Sequence, residues 1–215
     1  MQDLKKHFIS TYTNNSWGSS ETRSGPGSEI NSSIVKETIE LVLYTVNNFY
    51  NDQNILSISD IPCGDFNFVN VLLESILKYT NVRKIIYYAY DIVDDLQNVF
   101  ENMKKIDNVE YHFNVLDITK EIPIKTDIIL CKELFIHLSF KDISSSIENF
   151  KKSGSSHLII NNFYNGVNID IEYSVLGECR EVYLLEPPIS LPSPLYIKNS
   201  YCLWDLYSDG FITSV

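Results

Sequence analysis

The chain has 215 residues, 44% of them apolar, and a formal net charge of −11. That length fits one domain, and the apolar share is enough for a buried core. The acidic balance argues against a nucleic-acid partner, because a phosphate backbone needs a basic surface and the pairs Lys5-Lys6, Lys104-Lys105 and Lys151-Lys152 do not make one. No segment approaches about 18 continuous apolar residues, so no membrane span is expected, and without a signal-like apolar core near the N-terminus the expected location is cytoplasmic. Cys63, Cys131, Cys179 and Cys202 lack CxxC spacing and read as reduced thiols, not as a zinc site or a disulfide frame.

Residues 1–29 are polar and rich in Ser, Gly and Asn. They read as a loop, ordered where Trp17 must find a packing partner. His7 and, further on, His112 read as surface residues. Val35, Ile39, Val42, Val46 and Phe49 then recur at three- and four-residue steps, which predicts a helix capped by Asn31, Ser32 or Ser33. An apolar run, Ile55 to Ile61, predicts the first strand. Pro62-Cys63-Gly64-Asp65 predicts a tight turn, and Phe68, Leu72 and Ile76 a second helix with Asp65 as its cap.

Lys84 to Tyr90 reads as a strand ending at Asp91, followed by a helix carrying Leu96, Phe100 and Met103. Val109 to Val115 alternates and precedes Asp117. Asp127 to Cys131 is a continuous apolar run, hence a buried strand. Ser139 and Asp142 have capping-box spacing ahead of Ile143, Ile147 and Phe150. His157 to Asn161 is the next strand. This alternation predicts an α/β protein with a mostly parallel sheet covered on both faces. Residues 163–194 show no helical pattern, and Pro187, Pro188, Pro192 and Pro194 forbid one locally. Leu195 to Tyr207 reads as the final strands.

The strand-turn-helix at Ile55 to Phe68 is the kind of place where α/β proteins bind nucleotides. It is not a dinucleotide fingerprint, because Pro62 stands where the first glycine would be. It is not a phosphate loop, because no Gly-Lys-Ser/Thr follows. Asp65 in the turn disfavours a ligand rich in negative charge. Asp91, at the end of the next strand, suits a cis-diol that donates both hydroxyls to one carboxylate. S-adenosylmethionine, with a ribose diol, an adenine and a sulfonium amino acid, fits that combination.

Residues 55–138 resemble a class I S-adenosylmethionine-dependent methyltransferase. Asp60-Ile-Pro-Cys-Gly-Asp-Phe-Asn is similar to the first motif of one branch, D-x-P-C-G-D-F-x-W, with Phe68 in place of Trp. Tyr90-Asp91-Ile92-Val93 and Val115-Leu116-Asp117-Ile118 resemble the second and third motifs. Ile129 to Ser139 resembles the branch's L-C-R-D-x-L-x-H-L-S, with Glu133 where the branch often has Asp. Trp17 to Ser28 resembles its N-terminal signature. That branch includes sugar O-methyltransferase domains of bacteria and large DNA viruses. The resemblance implies a Rossmann-like sandwich with a mostly parallel seven-stranded sheet. It divides one methyltransferase domain into a covering segment (1–30), a cofactor-binding core (31–162), and substrate-side loops with the final strands (163–215).

It also implies roles. Asp60, Pro62, Gly64, Asp65 and Phe66 would approach the methionine end of the cofactor. Asp91 would take the ribose, Ile92 would pack on adenine, and Asp117 and Ile118 would meet the adenine edge. Cys131 and Lys132 would line the methionine side, and Trp17 and Ser28 would close over the cofactor. Glu133 and His137, four apart just past the fourth strand, are the expected catalytic pair, as base or as base and orienter. Asn162 within an Asn-rich strip, Asp170, and the arginines Arg23 and Arg180 are the expected acceptor contacts, since amides suit sugar hydroxyls and Arg suits an anion. The expected acceptor is a small molecule, a nucleotide sugar or glycan, and the expected product S-adenosylhomocysteine. No metal site is assigned. RNA, protein or secondary-metabolite methylation, and a non-catalytic binding subunit, are the competing functions.

Overall fold

The computed structural model describes residues 4–208 and residue 211. Its strands are β1 (Ile55–Asp60), β2 (Lys84–Asp91), β3 (Val109–Val115), β4 (Ile128–Cys131), β5 (His157–Asn161), β6 (Tyr196–Lys198) and β7 (Tyr201–Asp205). They form one seven-stranded sheet in the order β3-β2-β1-β4-β5-β7-β6. The pairings among β1 to β5 are parallel, and β7 runs antiparallel to both β5 and β6. The chain leaves β1 toward one edge and returns at β4 toward the other. The reversal opens a crevice beyond the carboxyl ends of β1 and β4, where open α/β sheets bind ligands.

The helices are α1 (Leu4–Thr13), α2 (Ser33–Phe49), α3 (Val69–Tyr79), α4 (Leu96–Asn102) and α5 (Phe140–Lys152). Buried strand residues alternate between two apolar layers. Ile128 and Leu130 join Val35, Val42 and Val46 of α2 and Leu72 and Ile76 of α3. Ile129 and Cys131 join Ile143, Ile147 and Phe150 of α5, with Phe8 of α1. Each such aliphatic side chain, once buried, contributes about 1.5–3 kcal/mol.

Local signals explain several boundaries. Ser32 caps α2, its Oγ accepting from the Val35 amide at 3.1 Å. Ser139 caps α5 through the Asp142 amide at 3.2 Å. The return arm of that capping box is replaced: the Ser139 amide donates to the Tyr173 hydroxyl at 2.7 Å, and that hydroxyl donates to Asp142 at 2.5 Å.

Three expectations need correction. Helix α1 occupies residues read as loop, with Leu4, Phe8 and Tyr12 at four-residue steps. His7 on this helix is buried, because the face that carries Phe8 docks on the body of the protein. Asp65 does not cap α3; Phe68 precedes that helix without a side-chain cap, and Asp65 binds the N-terminal segment instead. Residues 163–194 hold neither helix nor strand, and the prolines account for the absence of a helix over 187–194. They are pinned by amides: Asn162 Oδ1 accepts from the Leu184 amide at 2.6 Å, and Asn168 Nδ2 donates to the carbonyls of Tyr183 and Pro187. No helix among the described residues is long and apolar enough to cross a membrane.

Candidate active site

The turn after β1 is closed by its own protein. The amide of Cys63 donates to the Tyr90 carbonyl at 2.8 Å, that of Gly64 to Asp91 Oδ2 at 3.1 Å, and that of Asp65 to Ser24 Oγ at 2.9 Å. With these donors engaged, the turn cannot cradle a phosphate in the manner of a glycine-rich loop. Gly64 has φ +60, and a Cβ there would lie 2.3 Å from Ser24 Oγ and 3.3 Å from the Tyr12 hydroxyl. The glycine is therefore required by the N-terminal segment that crosses it. Asp65 anchors that segment. Its carboxylate accepts from Thr22 Oγ1 at 2.6 Å, the Arg23 amide at 2.6 Å and Ser24 Oγ at 2.9 Å.

Asp60 lies fully buried below the turn. Tyr87 donates to its Oδ2 at 2.6 Å, Oδ1 has no partner, and burial pushes its carboxyl up to about 7. Asp91 is also buried, and desolvation raises it to about 6. Its oxygens accept from the Gly64 amide and, at 3.0 Å, the Val93 amide, so one carboxylate ties the loops after β1 and β2 together. After β3, Asp117 accepts from the amide and hydroxyl of Thr119 at 3.1 and 2.6 Å and pairs with Lys120 at 2.6 Å. Its neighbour Ile118 is buried against the apolar layer.

Lys132 leaves the end of β4 into a buried position. Its Nζ donates to Ser28 Oγ at 2.8 Å and the Gly27 carbonyl at 3.2 Å, and stands 5.1 Å from the Phe68 ring centroid. Burial lowers its pKa, while the nearby carboxylates of Glu133, Asp60 and Asp65 oppose that shift. Lys132 thus fastens the far end of the segment that Asp65 holds at its middle.

Glu133 has φ +57, a left-handed conformation that costs a non-glycine residue on the order of 1–3 kcal/mol. The fold holds it there from two strands: its amide donates to Asn161 Oδ1 at 3.1 Å, and Tyr201 donates to its Oε1 at 3.1 Å. His137 ends the 3-10 turn Phe135–His137. Its Nδ1 lies 2.7 Å from the Glu178 carbonyl. A carbonyl only accepts, so Nδ1 carries the proton and Nε2 of the neutral ring is an acceptor. The ring packs 5.1 Å from Trp17 and 6.4 Å from Phe8, and desolvation lowers its pKa to about 4.

One cleft gathers these groups. Trp17, Ser28, Pro62, Gly64, Asp91, Ile92, Asp117, Ile118, Lys132, Glu133 and His137 all line it. Other expected site residues lie elsewhere. Asp60 and Cys131 are buried beneath it, and Phe66 packs on Phe100 and Phe113, with ring centroids 5.7 and 6.2 Å away. Arg23 and Asp65 border a separate polar recess with Asn15 and Glu21. Asn162 is fully buried on the Leu184 amide, and Asp170 accepts from the Phe140 amide at 2.9 Å. Arg180 binds main-chain carbonyls and does not line the cleft. Leu4, Phe8, Tyr12 and Ser24 line the cleft without having been expected to. The four-residue spacing of the first three was a helical signal available in the sequence; Ser24 falls within the Trp17 to Ser28 segment already marked by its resemblance, where it was given no role.

No family model matches the chain, and no curated protein matches it. Solved structures do. The methyltransferase domain of the citrinin polyketide synthase is 16% identical with a TM-score of 0.51, over 64% of this chain and 37% of that one. An N-methyltransferase from Bradyrhizobium japonicum, in complex with S-adenosylhomocysteine, is 13% identical with a TM-score of 0.49, over 70% and 72%. Magnesium protoporphyrin IX methyltransferase from Synechocystis with bound S-adenosylhomocysteine is 15% identical with a TM-score of 0.47, over 74% and 70%. At such identities the likeness is one of fold. The strand order and the antiparallel β7 give this chain the Rossmann-like sandwich of class I methyltransferases.

Proposed function

We propose that the protein is an S-adenosylmethionine-dependent methyltransferase that acts on a hydroxyl of a small-molecule acceptor. The observation that carries this reading is the convergence of the loops after β1, β2, β3 and β4 on a single cleft, with Gly64, Asp91, Ile118 and Glu133 on its walls. The residues fit the cofactor. Asp91 uses one acceptor site on each oxygen for an amide and keeps capacity for a diol. Ile92, Leu116 and Ile118 offer apolar walls for a flat ring. The carboxylates of Asp91, Asp117 and Glu133 favour a cation over a pyrophosphate, and the engaged amides of the turn point the same way.

S-adenosylmethionine, when bound, supplies an electrophilic methyl group on a sulfonium. His137, neutral at pH 7 with Nδ1 committed to the Glu178 carbonyl, offers Nε2 to the acceptor's hydroxyl proton. Glu133 presents its carboxyl group at the end of β4, its amide held by Asn161 and its Oε1 by Tyr201. The N-terminal segment, fastened by Asp65 and Lys132, supplies Trp17, Ser24 and Ser28 to the wall of the cleft. The finer reading, transfer to a sugar or nucleotide-sugar hydroxyl, rests on the sequence resemblance. Asn162, Asn168 and Arg180, which would have supplied sugar or anion contacts, are engaged with the protein's own backbone.

Methyl-labelled S-adenosylmethionine, offered with nucleotide sugars, free sugars, other small alcohols and RNA, tests the proposal. Label in a small hydroxyl compound is expected. Label confined to RNA overturns the small-molecule acceptor. Binding of S-adenosylhomocysteine without transfer to any acceptor overturns the enzyme in favour of a binding subunit.

A further inference from the structure

Arg180 was read from the sequence as an acceptor contact, yet its guanidinium faces the backbone that carries His137. Nη1 donates to the carbonyls of Phe135 and Ile136, both at 3.1 Å, and Nη2 to that of Leu138 at 2.7 Å. Nε donates to the Ile169 carbonyl at 2.7 Å, and the Arg180 amide itself donates to Ile136 at 3.0 Å. The guanidinium lies 5.0 Å from the Phe140 ring, with Asp170 at 3.7 Å. Its side chain is only 13% exposed. Two residues earlier on the same segment, the Glu178 carbonyl accepts a hydrogen bond from His137 Nδ1–H. Gly177 abuts Trp17, where an added Cβ would lie 3.3 Å from the indole, and Trp17 packs on the His137 ring.

Resting on the reading of His137 as the proton acceptor, we infer that Arg180 is a positioning residue for it: by clamping the carbonyls on either side of His137, Arg180 holds residues 178–180 where Glu178 fixes the imidazole as its Nδ1–H tautomer with Nε2 toward the cleft. The physical logic is that of a fork. A planar guanidinium donates in several fixed directions at once, so one side chain can join the 3-10 turn to two separate stretches of chain. It also adds a second donor to the Phe135 carbonyl, which accepts from the Leu138 amide at 3.2 Å, and reaches the Ile136 and Leu138 carbonyls beside it. A lysine ammonium carries the same charge without the fork and cannot hold the same set of carbonyls in one geometry. The loop without helix or strand, residues 163–194, thereby acquires a function: it is the mould for the catalytic imidazole.

The test is imidazole nitrogen NMR on the full chain, with the His137 signals assigned by their loss in His137→Gln. Wild-type protein is expected to show His137 as a single Nδ1–H tautomer at neutral pH; a mixed or Nε2–H ring overturns the inference before any variant is made. Arg180→Lys is expected to mix the tautomers and lower kcat about 10²-fold, while the Kd for S-adenosylhomocysteine and the KM for the cofactor stay unchanged. A pure Nδ1–H tautomer in Arg180→Lys overturns the inference, whatever happens to Tm or kcat. If His137→Gln keeps full activity, the role of His137 as base fails, and the tautomer measurements still decide whether Arg180 positions the ring.

Discussion

Substituting Gly64 by Ala tests how the N-terminal segment and the first turn depend on each other. The backbone there has φ +60, which costs an alanine about 1–2 kcal/mol. The new Cβ would stand 2.3 Å from Ser24 Oγ and 3.1 Å from Ser24 Cβ, so Ser24 must move. Moving it breaks the Ser24 Oγ bond to Asp65 at 2.9 Å, the bond from the Asp65 amide at 2.9 Å and the contact with Tyr12 at 3.1 Å. A bond to a carboxylate contributes about 1.5–3 kcal/mol, and these share one hydroxyl, so the loss is about 2–3 kcal/mol. The total is about 3–5 kcal/mol, expressed as detachment of the segment. Hydrogen exchange should speed up across residues 19–28, and S-adenosylhomocysteine should bind more weakly. In a Ser24→Gly background the clash is gone, and the further cost of Gly64→Ala should fall to the backbone part alone. Equal costs in the two backgrounds, measured by urea unfolding, would refute the claim that Gly64 is small because Ser24 crosses it.

Three further outcomes follow from the site. His137→Gln should lower kcat by about 10²–10⁴-fold with little change in cofactor affinity, and the acid limb of wild-type kcat at saturating cofactor should fall near pH 4 and not near 6.5, because burial holds the ring neutral; unchanged kcat in the variant, or a limb near 6.5, counts against this. The same shift has a stability consequence. His137 has a folded pKa of about 4 against 6.5 when unfolded, so its contribution is present above pH 6.5 and is lost as pH falls from 6.5 toward 4, by on the order of 2–3 kcal/mol; urea midpoints at pH 4.5 and 7.5 should therefore differ less in His137→Gln than in wild type. Lys132→Met should keep the fold and free residues 26–28, seen as faster hydrogen exchange there and faster release of S-adenosylhomocysteine; unaltered exchange would show that Ser28 and Gly27 are held without it.

Much of the fold was legible because its signals are local. The apolar runs of β1, β2 and β4 and the stripe of α2 mark buried elements whatever their partners. Ser139 and Asp142 marked the start of α5, although the reciprocal arm came from Tyr173, 31 residues beyond Asp142. What the sequence hid was non-local. Asp65 reads as a cap because it precedes a helix; its actual partners, Thr22 to Ser24, lie more than 40 residues away in sequence. Helix α1 was obscured by its polar surroundings, since Leu4, Phe8 and Tyr12 cover a cleft belonging to the rest of the chain. Arg180 reads as an anion contact by residue type, and only the folded backbone shows that its donors meet carbonyls. The cleft walls near Gly64, Asp91 and Glu133 were found because a strand end followed by an acid or a glycine is itself a positional signal in an α/β sheet.

The central claim is that the cleft between the ends of β1, β2 and β4 binds S-adenosylmethionine with Asp91 at its centre. Calorimetric titration with S-adenosylhomocysteine tests it most directly. The account predicts one saturable site per chain in the wild type, and a Kd raised 10-fold or more, about 1.4 kcal/mol or greater, in Asp91→Ala. No heat of binding in the folded wild-type protein, or an Asp91→Ala variant that binds as tightly as wild type, would contradict it.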